Sequence, residues 1–308
     1  MIDVTLLGTA ALLPIPDRAL TAASLVCAGR VILFDCGEGT QTAARRAGVS
    51  LMRADLIALT HYHGDHIFGL PGLLQTLGCL NRAEPLVIAG PLGLRDAMEP
   101  ILKLAGHLPY EVRLAGIPEG GMALSDLNGN WPSRARLTAF DTRHRVPSQG
   151  YCFTLDRAGR FLPEKARSLG LPVGLWSRLQ SGESVRFGES VIEPSRVMGP
   201  PRRGLKVVFS GDTAPCDALA EAARGADLLI CDATYGEDDQ AGLAHERGHM
   251  TFAEAAGIAS RAGARRLWLS HYSQMIEDPQ ACLPNATAVF SGAVCGEDGM
   301  ALTLHFED

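Results

Sequence analysis

The sequence predicts an α/β fold whose working residues gather at the carboxyl ends of its strands, and three observations predict it. Short apolar runs alternate with helix-like segments in two stretches of the chain, one on each side of a glycine-punctuated segment that begins near Gly150. The run Leu56-Ile57-Ala58-Leu59 is short, continuous and apolar, as a buried strand is, and it leads directly into Thr60-His61-Tyr62-His63-Gly64-Asp65-His66. His144, Asp212 and His271 each follow a predicted strand end within a few residues. Open α/β sheets bind their ligands at that end of the strands.

The elements follow in order. Ile2 to Leu7 reads as a first strand, and no basic segment typical of a signal peptide precedes it. Pro14 to Arg18 is a proline-stiffened loop. Ala23 to Cys27 and Val31 to Phe34, joined at Ala28-Gly29-Arg30, form a β-hairpin. Asp35, at the end of the second strand, reads as a structural carboxylate that hydrogen-bonds the backbone of the histidine turn. Thr40 is placed to cap a helix that runs to Ala47 and stops at Gly48. Gly64 is expected to give the histidine turn a backbone angle that other residues resist.

Pro71 sits in the first turn of the next helix. Pro85 to Gly90 is a strand. Gly93 to Leu104 is helical, with Pro100 interrupting it, and Gly116 to Pro132 loops out. Arg136 to Phe140 is a strand that delivers His144. From Gly150-Tyr151 to about Pro201 the texture changes, and we expect a single domain, 1–308, with an inserted arm at about 153–190 that contains one short helix, Pro163 to Leu169. Regular order returns at Leu205 to Ser210, a strand ending in Gly211-Asp212-Thr213. Asp217 to Ala223 is a helix, and Asp227 to Cys231 a strand ending at Asp232. Thr251 to Ala262 is a helix capped by Thr251, and Arg266 to Ser270 a strand ending at His271.

His61, His63, Asp65, His66, His144, Asp212 and His271 can be assembled into one constellation. One zinc takes three or four protein ligands, so the set is too large for one ion and right for two. Imidazole and carboxylate suit zinc and its borderline neighbours and not calcium, with manganese or another divalent ion as an alternative occupant. Two ions about 3.5–4 Å apart clamp the attacking and leaving oxygens of a phosphoryl displacement. A carboxylate can bridge them, and Asp212 is placed to do so.

The pattern His61-x-His63-x-Asp65-His66, followed by His144, Asp212 and His271, resembles the metallo-β-lactamase fold. With Phe34-Asp35-Cys36-Gly37-Glu38-Gly39-Thr40-Gln41, Gly69-Leu70-Pro71-Gly72 and Phe209-Ser210-Gly211-Asp212-Thr213, it resembles the ribonuclease Z family nearly end to end. The resemblance implies a four-layer αββα sandwich of two mixed sheets. It implies a hydrolase that removes the 3′ trailer of precursor tRNA and leaves a 3′ hydroxyl. His61, His63 and His144 are then expected to hold one zinc, and Asp65, His66 and His271 the other, with Asp212 between them. Asp65 also orients or deprotonates the attacking water. The resemblance further implies a homodimer in which the arm of one subunit serves the site of the other.

It also makes His249 the residue that protonates the leaving 3′ oxygen. Such an acid needs a partner to orient its ring, and Asp232 is that partner. The family has glutamate there, inside His-Glu-Ala-Thr, where this chain reads Cys231-Asp232-Ala233-Thr234. In the loop after the first strand, the family's lysine and Arg-Asn pair are replaced by Pro16, Arg18 and Ala19, so Arg18 alone is expected to touch RNA. The arm's usual Gly-Pro reads Gly174-Leu175, and its charges are mixed.

The bulk numbers narrow the classes. The net charge of −6 excludes a generically basic nucleic-acid binder, so phosphate-binding charge must be local. No apolar run approaches the ~18–20 residues that span a bilayer. Eight scattered cysteines without a Cys-x-x-Cys pair suit a reducing compartment, the cytoplasm. Cys36 and Cys231 read as buried apolar residues, and His107, His245 and His305 as surface or loop residues. Two rivals remain: a phosphodiesterase of the same fold for small or cyclic nucleotides, and a metal-stabilised scaffold without turnover.

Overall fold

In strand β3, Arg30–Phe34, alternate side chains go to opposite sides, and that alternation organises the main body of the chain. Val31 and Leu33 join a buried cluster with residues from helices. Phe34 faces the other way, with its ring 5.9 Å from Tyr151 and 5.4 Å from Phe209 across a second sheet. The same division recurs in the second sheet. There Leu229, Cys231, Leu267 and Leu269 pack on helices, and the intervening residues face inward. Helix, sheet, sheet and helix are thus stacked as αββα.

The computed structural model describes residues 1–307. In chain order the first strands are β1 Ile2–Gly8, β2 Ala22–Cys27, β3, β4 Ala54–Ala58, β5 Leu86–Ala89 and β6 Val112–Ala115. Next come β7 Met122–Ala123, β8 Ala135–Asp141, β9 Gln149–Arg157, β10 Val185–Phe187 and β11 Ser190–Ile192. The last are β12 Arg202–Phe209, β13 Leu228–Asp232, β14 Leu267–Ser270, β15 Ala293–Cys295 and β16 Ala301–Leu304. One seven-stranded sheet has the order β16-β1-β2-β3-β4-β5-β6, and the other β15-β14-β13-β12-β9-β8-β7. Both are mixed: β3 to β6 and β12 to β15 run parallel, while β1-β2-β3 and β7-β8-β9 run antiparallel. Helices α1 Thr40–Arg46, α2 Gly64–Ile67, α3 Leu70–Cys79 and α4 Leu94–Ala105 follow strands of the first sheet.

The described residues fall into two compact units. The larger comprises Met1–Leu155 and Leu205–His305. The smaller comprises Asp156–Gly204 with the residues from Phe306. The smaller unit has a core of its own, built from Ala166, Leu171, Leu179, Val185, Ile192 and Val197. It contains α5 Pro163–Ser168, α6 Trp176–Gln180 and the β10-β11 hairpin.

Several expectations are corrected. Residues 153–155, inside the range read as arm, belong to β9, a central strand that pairs with β8 from Ala135↔Leu155 to Asp141↔Gln149. Residues 191–204, outside that range, lie in the smaller unit. The arm has two α-helices and a hairpin where one helix was expected. Pro100 does not interrupt α4, because Leu94, Met98, Ile101 and Ala105 anchor one face of it in the core on both sides of the proline. The cap of α1 is Gly39, at φ 91°, and Thr40 instead donates to the Gly37 carbonyl at 2.7 Å. Thr251 does cap its helix, α9 Phe252–Ala262 (α7 being Asp217–Ala222 and α8 Ala241–Arg247), and accepts from the Glu254 amide. No sequence cue marked α8, α10 Pro279–Thr287 or strands β15 and β16.

Candidate metal centre

Strand β4 ends at Ala58, and its continuation carries Thr60 and His61 into the cleft at the carboxyl ends of the strands. Asp35 leaves β3 beside it in the left-handed conformation, φ 54°. Its Oδ1 accepts the Thr60 amide at 2.7 Å, and Oδ2 accepts the Thr60 hydroxyl at 2.8 Å. Oδ2 also lies 2.7 Å from His66 Nδ1, which leaves His66 Nε2 facing the cleft. Asp35 is the structural carboxylate the sequence suggested, and it orients a ring as well as a backbone. His271, after β14, is the matching strained position, at φ 64°. Each costs on the order of 1–3 kcal/mol, a strain that persists only where surrounding structure imposes it.

Gly64 is the first residue of α2 and is not among the left-handed residues, so its expected role is corrected. A Cβ there would lie 2.4 Å from Phe68 Cε2, so the exposed Phe68 ring would have to shift to admit one. At Gly211 the backbone is left-handed, φ 60°, and a Cβ would lie 2.7 Å from the Thr60 side chain. That close approach brings Asp212 against the histidine turn.

The cleft gathers all seven ligand-type residues. His61, His63, His144 and Asp212 each offer an atom within 4.8 Å of the others, and so do Asp65, His66 and His271. In the first group, His63 Nδ1 lies 2.9 Å from His61 Nε2 and 3.3 Å from His144 Nε2, and Asp212 Oδ2 lies 3.6 Å from His61 Nε2. In the second, Asp65 Oδ2 lies 3.7 Å from His66 Nε2 and 3.5 Å from His271 Nε2. Asp212 Oδ1 lies 3.3 Å from His66 Nε2 and 3.2 Å from His271 Nε2. One carboxylate therefore turns one oxygen to each group. Its Oδ1 is buried and has no hydrogen-bond partner.

Outer contacts fix the rings. His144 Nδ1 hydrogen-bonds the Gly248 carbonyl at 2.9 Å, and His271 Nδ1 lies 2.9 Å from the Thr234 hydroxyl. The Leu12 amide donates to Asp65 Oδ2 at 2.8 Å. Gly248, Thr234 and Leu12 escaped the sequence reading. Thr234 stands in the quoted Cys-Asp-Ala-Thr stretch, but a backbone amide or carbonyl leaves no residue-type signal.

His249 lies between α8 and α9, and its Nδ1 is 2.8 Å from Asp232 Oδ2. Asp232 Oδ1 accepts the Thr234 amide and hydroxyl, at 2.9 and 2.7 Å, and Oδ2 accepts the Thr213 amide at 3.0 Å. The shorter side chain thus still reaches the ring directly. Arg18 is half-buried, and its guanidinium donates to the carbonyls of Ile276 and Glu277, at 2.7 and 3.2 Å.

Burial and charge divide the groups electrostatically. Burial pushes His61 well below the ordinary imidazole range, with neighbouring imidazoles adding to it. Burial would lower His66 too, but the Asp212 and Asp35 carboxylates outweigh it and raise the group well above that range. Burial works against the charge on Asp212, yet His271, His66 and His61 hold its carboxyl well below the usual value. For His249, the Asp232 carboxylate overcomes burial and lifts the imidazole to about 9. The donor atoms are imidazole nitrogen and carboxylate oxygen, the set that suits a divalent borderline metal ion.

Comparison with known proteins agrees with this geometry. The profile of the metallo-beta-lactamase superfamily matches residues 18–138, and that of the beta-lactamase superfamily domain matches 195–272. A protein of Agathobacter rectalis named ribonuclease Z is 41% identical over 100% of both chains. A ribonuclease Z of Lachnoclostridium phytofermentans is 40% identical over 100% of this chain and 99% of its own. The crystal structure of the short form of human tRNase Z superposes with a TM-score of 0.68 at 28% identity, covering 99% of this chain and 100% of that one. With the αββα fold and the two histidine–carboxylate groups on Asp212, this likeness places the chain in the ribonuclease Z family of the metallo-β-lactamase superfamily.

Proposed function

We infer that the chain is a metal-dependent endoribonuclease that acts on tRNA precursors, cutting off the 3′ trailer and leaving a 3′ hydroxyl. The observation that carries the reading is the Asp212 carboxylate, with one oxygen toward each of two ligand groups. A buried carboxylate oxygen without a hydrogen-bond partner is costly, and a cation beside it would satisfy it. The residues present therefore fit two divalent ions. His61, His63 and His144 would hold one with Asp212 Oδ2, and Asp65, His66 and His271 the other with Asp212 Oδ1. Zinc suits both sets, and manganese is an alternative. When bound, such a pair supplies Lewis acidity at the phosphoryl oxygens and activates water.

The rest is done by the chain. Asp65, held by the Leu12 amide, orients the attacking water and takes up its proton. His249, protonated at neutral pH because Asp232 faces its Nδ1, presents Nε2 to the leaving 3′ oxygen and donates a proton to it. Asp232 fixes the ring through a carboxylate that is itself held by Thr213 and Thr234. The smaller unit, about Asp156 to Gly204, serves as the arm that grips the body of the tRNA, and two copies pair so that each arm serves the other's site. Arg18, read as a contact for RNA, has its bonds on the Ile276 and Glu277 carbonyls, which supports a role in holding the loop that carries it. Among the described residues no helix is long and apolar enough to cross a membrane, and all eight cysteines are free, which supports a cytoplasmic setting.

The test is cleavage of a tRNA precursor with a 3′ trailer beside turnover of a small chromogenic phosphodiester. We expect both, with the precursor cut once and a 3′ hydroxyl on the tRNA side. Turnover of the small ester with the precursor left intact would favour a small-nucleotide phosphodiesterase. Turnover of neither by a metal-replete sample would favour the scaffold.

A further inference from the structure

Phe68 closes the short helix that carries Asp65 and His66, and it is 68% exposed. It lies on the rim of a cavity of about 700 Å³ that also takes in Asp65, Asp212, His249 and His271. An exposed phenylalanine forgoes the burial free energy that its ring would gain elsewhere. The ring lies against the backbone of Gly64, where an added Cβ would stand 2.4 Å from Cε2. Leu12 and Leu13, both exposed, extend the apolar rim. The same cavity is lined by Arg145 and Arg247, both exposed, and Arg247 Nη1 donates to the Tyr235 hydroxyl at 3.3 Å.

An aromatic face and two cations around a phosphodiester-cutting centre match what a strand of RNA presents, a base with a π-face and the phosphates beside it. Sites for single-stranded nucleic acid combine these two features. The geometry points to Phe68 as the stacking residue for one of the two nucleobases that flank the cut, with Arg145 and Arg247 holding adjoining phosphates. This rests on the ribonuclease reading above. Every base has a π-face, so the contact sets the position of the strand and does not select a sequence. Stacking is present before and during the chemical step, so its loss raises KM and spares kcat.

The experiment uses the metal-replete full chain and a precursor tRNA with a 3′ trailer. Phe68→Leu keeps an apolar side chain without a π-face, and Phe68→Trp restores one. An abasic residue is placed singly at each nucleotide flanking the cut. Phe68→Leu should lower kcat/KM on the intact precursor by on the order of tenfold to a hundredfold, through KM. Phe68→Trp should recover most of the loss, while metal content and Tm stay at wild-type values. At one of the two positions the abasic precursor should be cut by wild type as poorly as the intact one is by Phe68→Leu, with no further loss when the two are combined. Wild-type rates from Phe68→Leu, or losses that multiply at both positions, overturn the stacking role and leave the ribonuclease reading standing. A wild-type chain that leaves the intact precursor uncut overturns the ribonuclease reading itself.

Discussion

Asp35 Oδ2 lies 2.7 Å from His66 Nδ1, and both residues are fully buried. The same device recurs around the centre, where Gly248 O faces His144 Nδ1 and Thr234 Oγ1 faces His271 Nδ1. Each bond at Nδ1 leaves Nε2 for the cleft. His63 is the exception, since it turns Nδ1 toward its neighbours.

Asp35→Asn should therefore weaken metal binding without unfolding the chain. The variant keeps an oxygen for Thr60 but removes the charge that orients and polarises the His66 ring. Partners of this kind change metal affinity by about 10–100-fold. Chelator competition measures it, and wild-type affinity in the variant would refute the orienting role.

His249 gives a second prediction. In the metal-stripped chain its imidazole should titrate near 9, because the Asp232 carboxylate outweighs burial. Asp232→Asn removes the stronger raising partner and leaves burial, which lowers, opposed only by the weaker pull of Asp212, so the titration should move down. The ring then loses its proton at a lower pH than in the wild type. Histidine-selective NMR titration reads the shift directly, and an unmoved titration would separate the two residues. In the loaded enzyme His249→Ala should cost about 10²–10⁴ in kcat while bound metal is unchanged.

A third prediction concerns the smaller unit. Its core lies wholly within residues 166–197, so replacing 158–201 with a short Gly-Ser linker should leave the two helix–sheet cores folded. Turnover of the small phosphodiester should persist, and cleavage of the precursor should fall steeply through KM. Equal loss on both substrates would make the unit structural.

The cysteines supply a check on the core. Cys79 is exposed, whereas Cys27, Cys36, Cys152, Cys231 and Cys295 are buried. Burial also pushes the thiols of Cys36 and Cys295 up, to about 12 and about 11, away from the reactive thiolate. A thiol reagent should label Cys79 rapidly in the folded chain and all eight after denaturation. Fast labelling of Cys36 or Cys231 would contradict the packing of the two cores.

The parts of this architecture that were legible in the sequence are those with a local signature. Leu56 to Leu59 with its histidine turn, Asp212 after Phe209, and His271 after Ser270 each join a strand-like run to a ligand-type residue. In the sequence, residues 153–155 read as arm because glycine and polar neighbours hide a strand, β9, whose place depends on pairing with Ala135–Asp141. Pro284 lies inside α10, which no helix signal announced. Strand β16 pairs with β1 from the far end of the chain, a contact no short window contains. Leu12, Thr234 and Gly248 reach the centre only through tertiary folding, so nothing local marks them.

The central claim is that two divalent ions share Asp212. Crystals of the zinc-loaded chain, measured at the zinc absorption edge, test it most directly. The account predicts two anomalous peaks about 3.5–4 Å apart, one against His61, His63 and His144 and the other against Asp65, His66 and His271, with an Asp212 oxygen on each. A single peak in a fully loaded crystal, or a pair that Asp212 does not join, would contradict it.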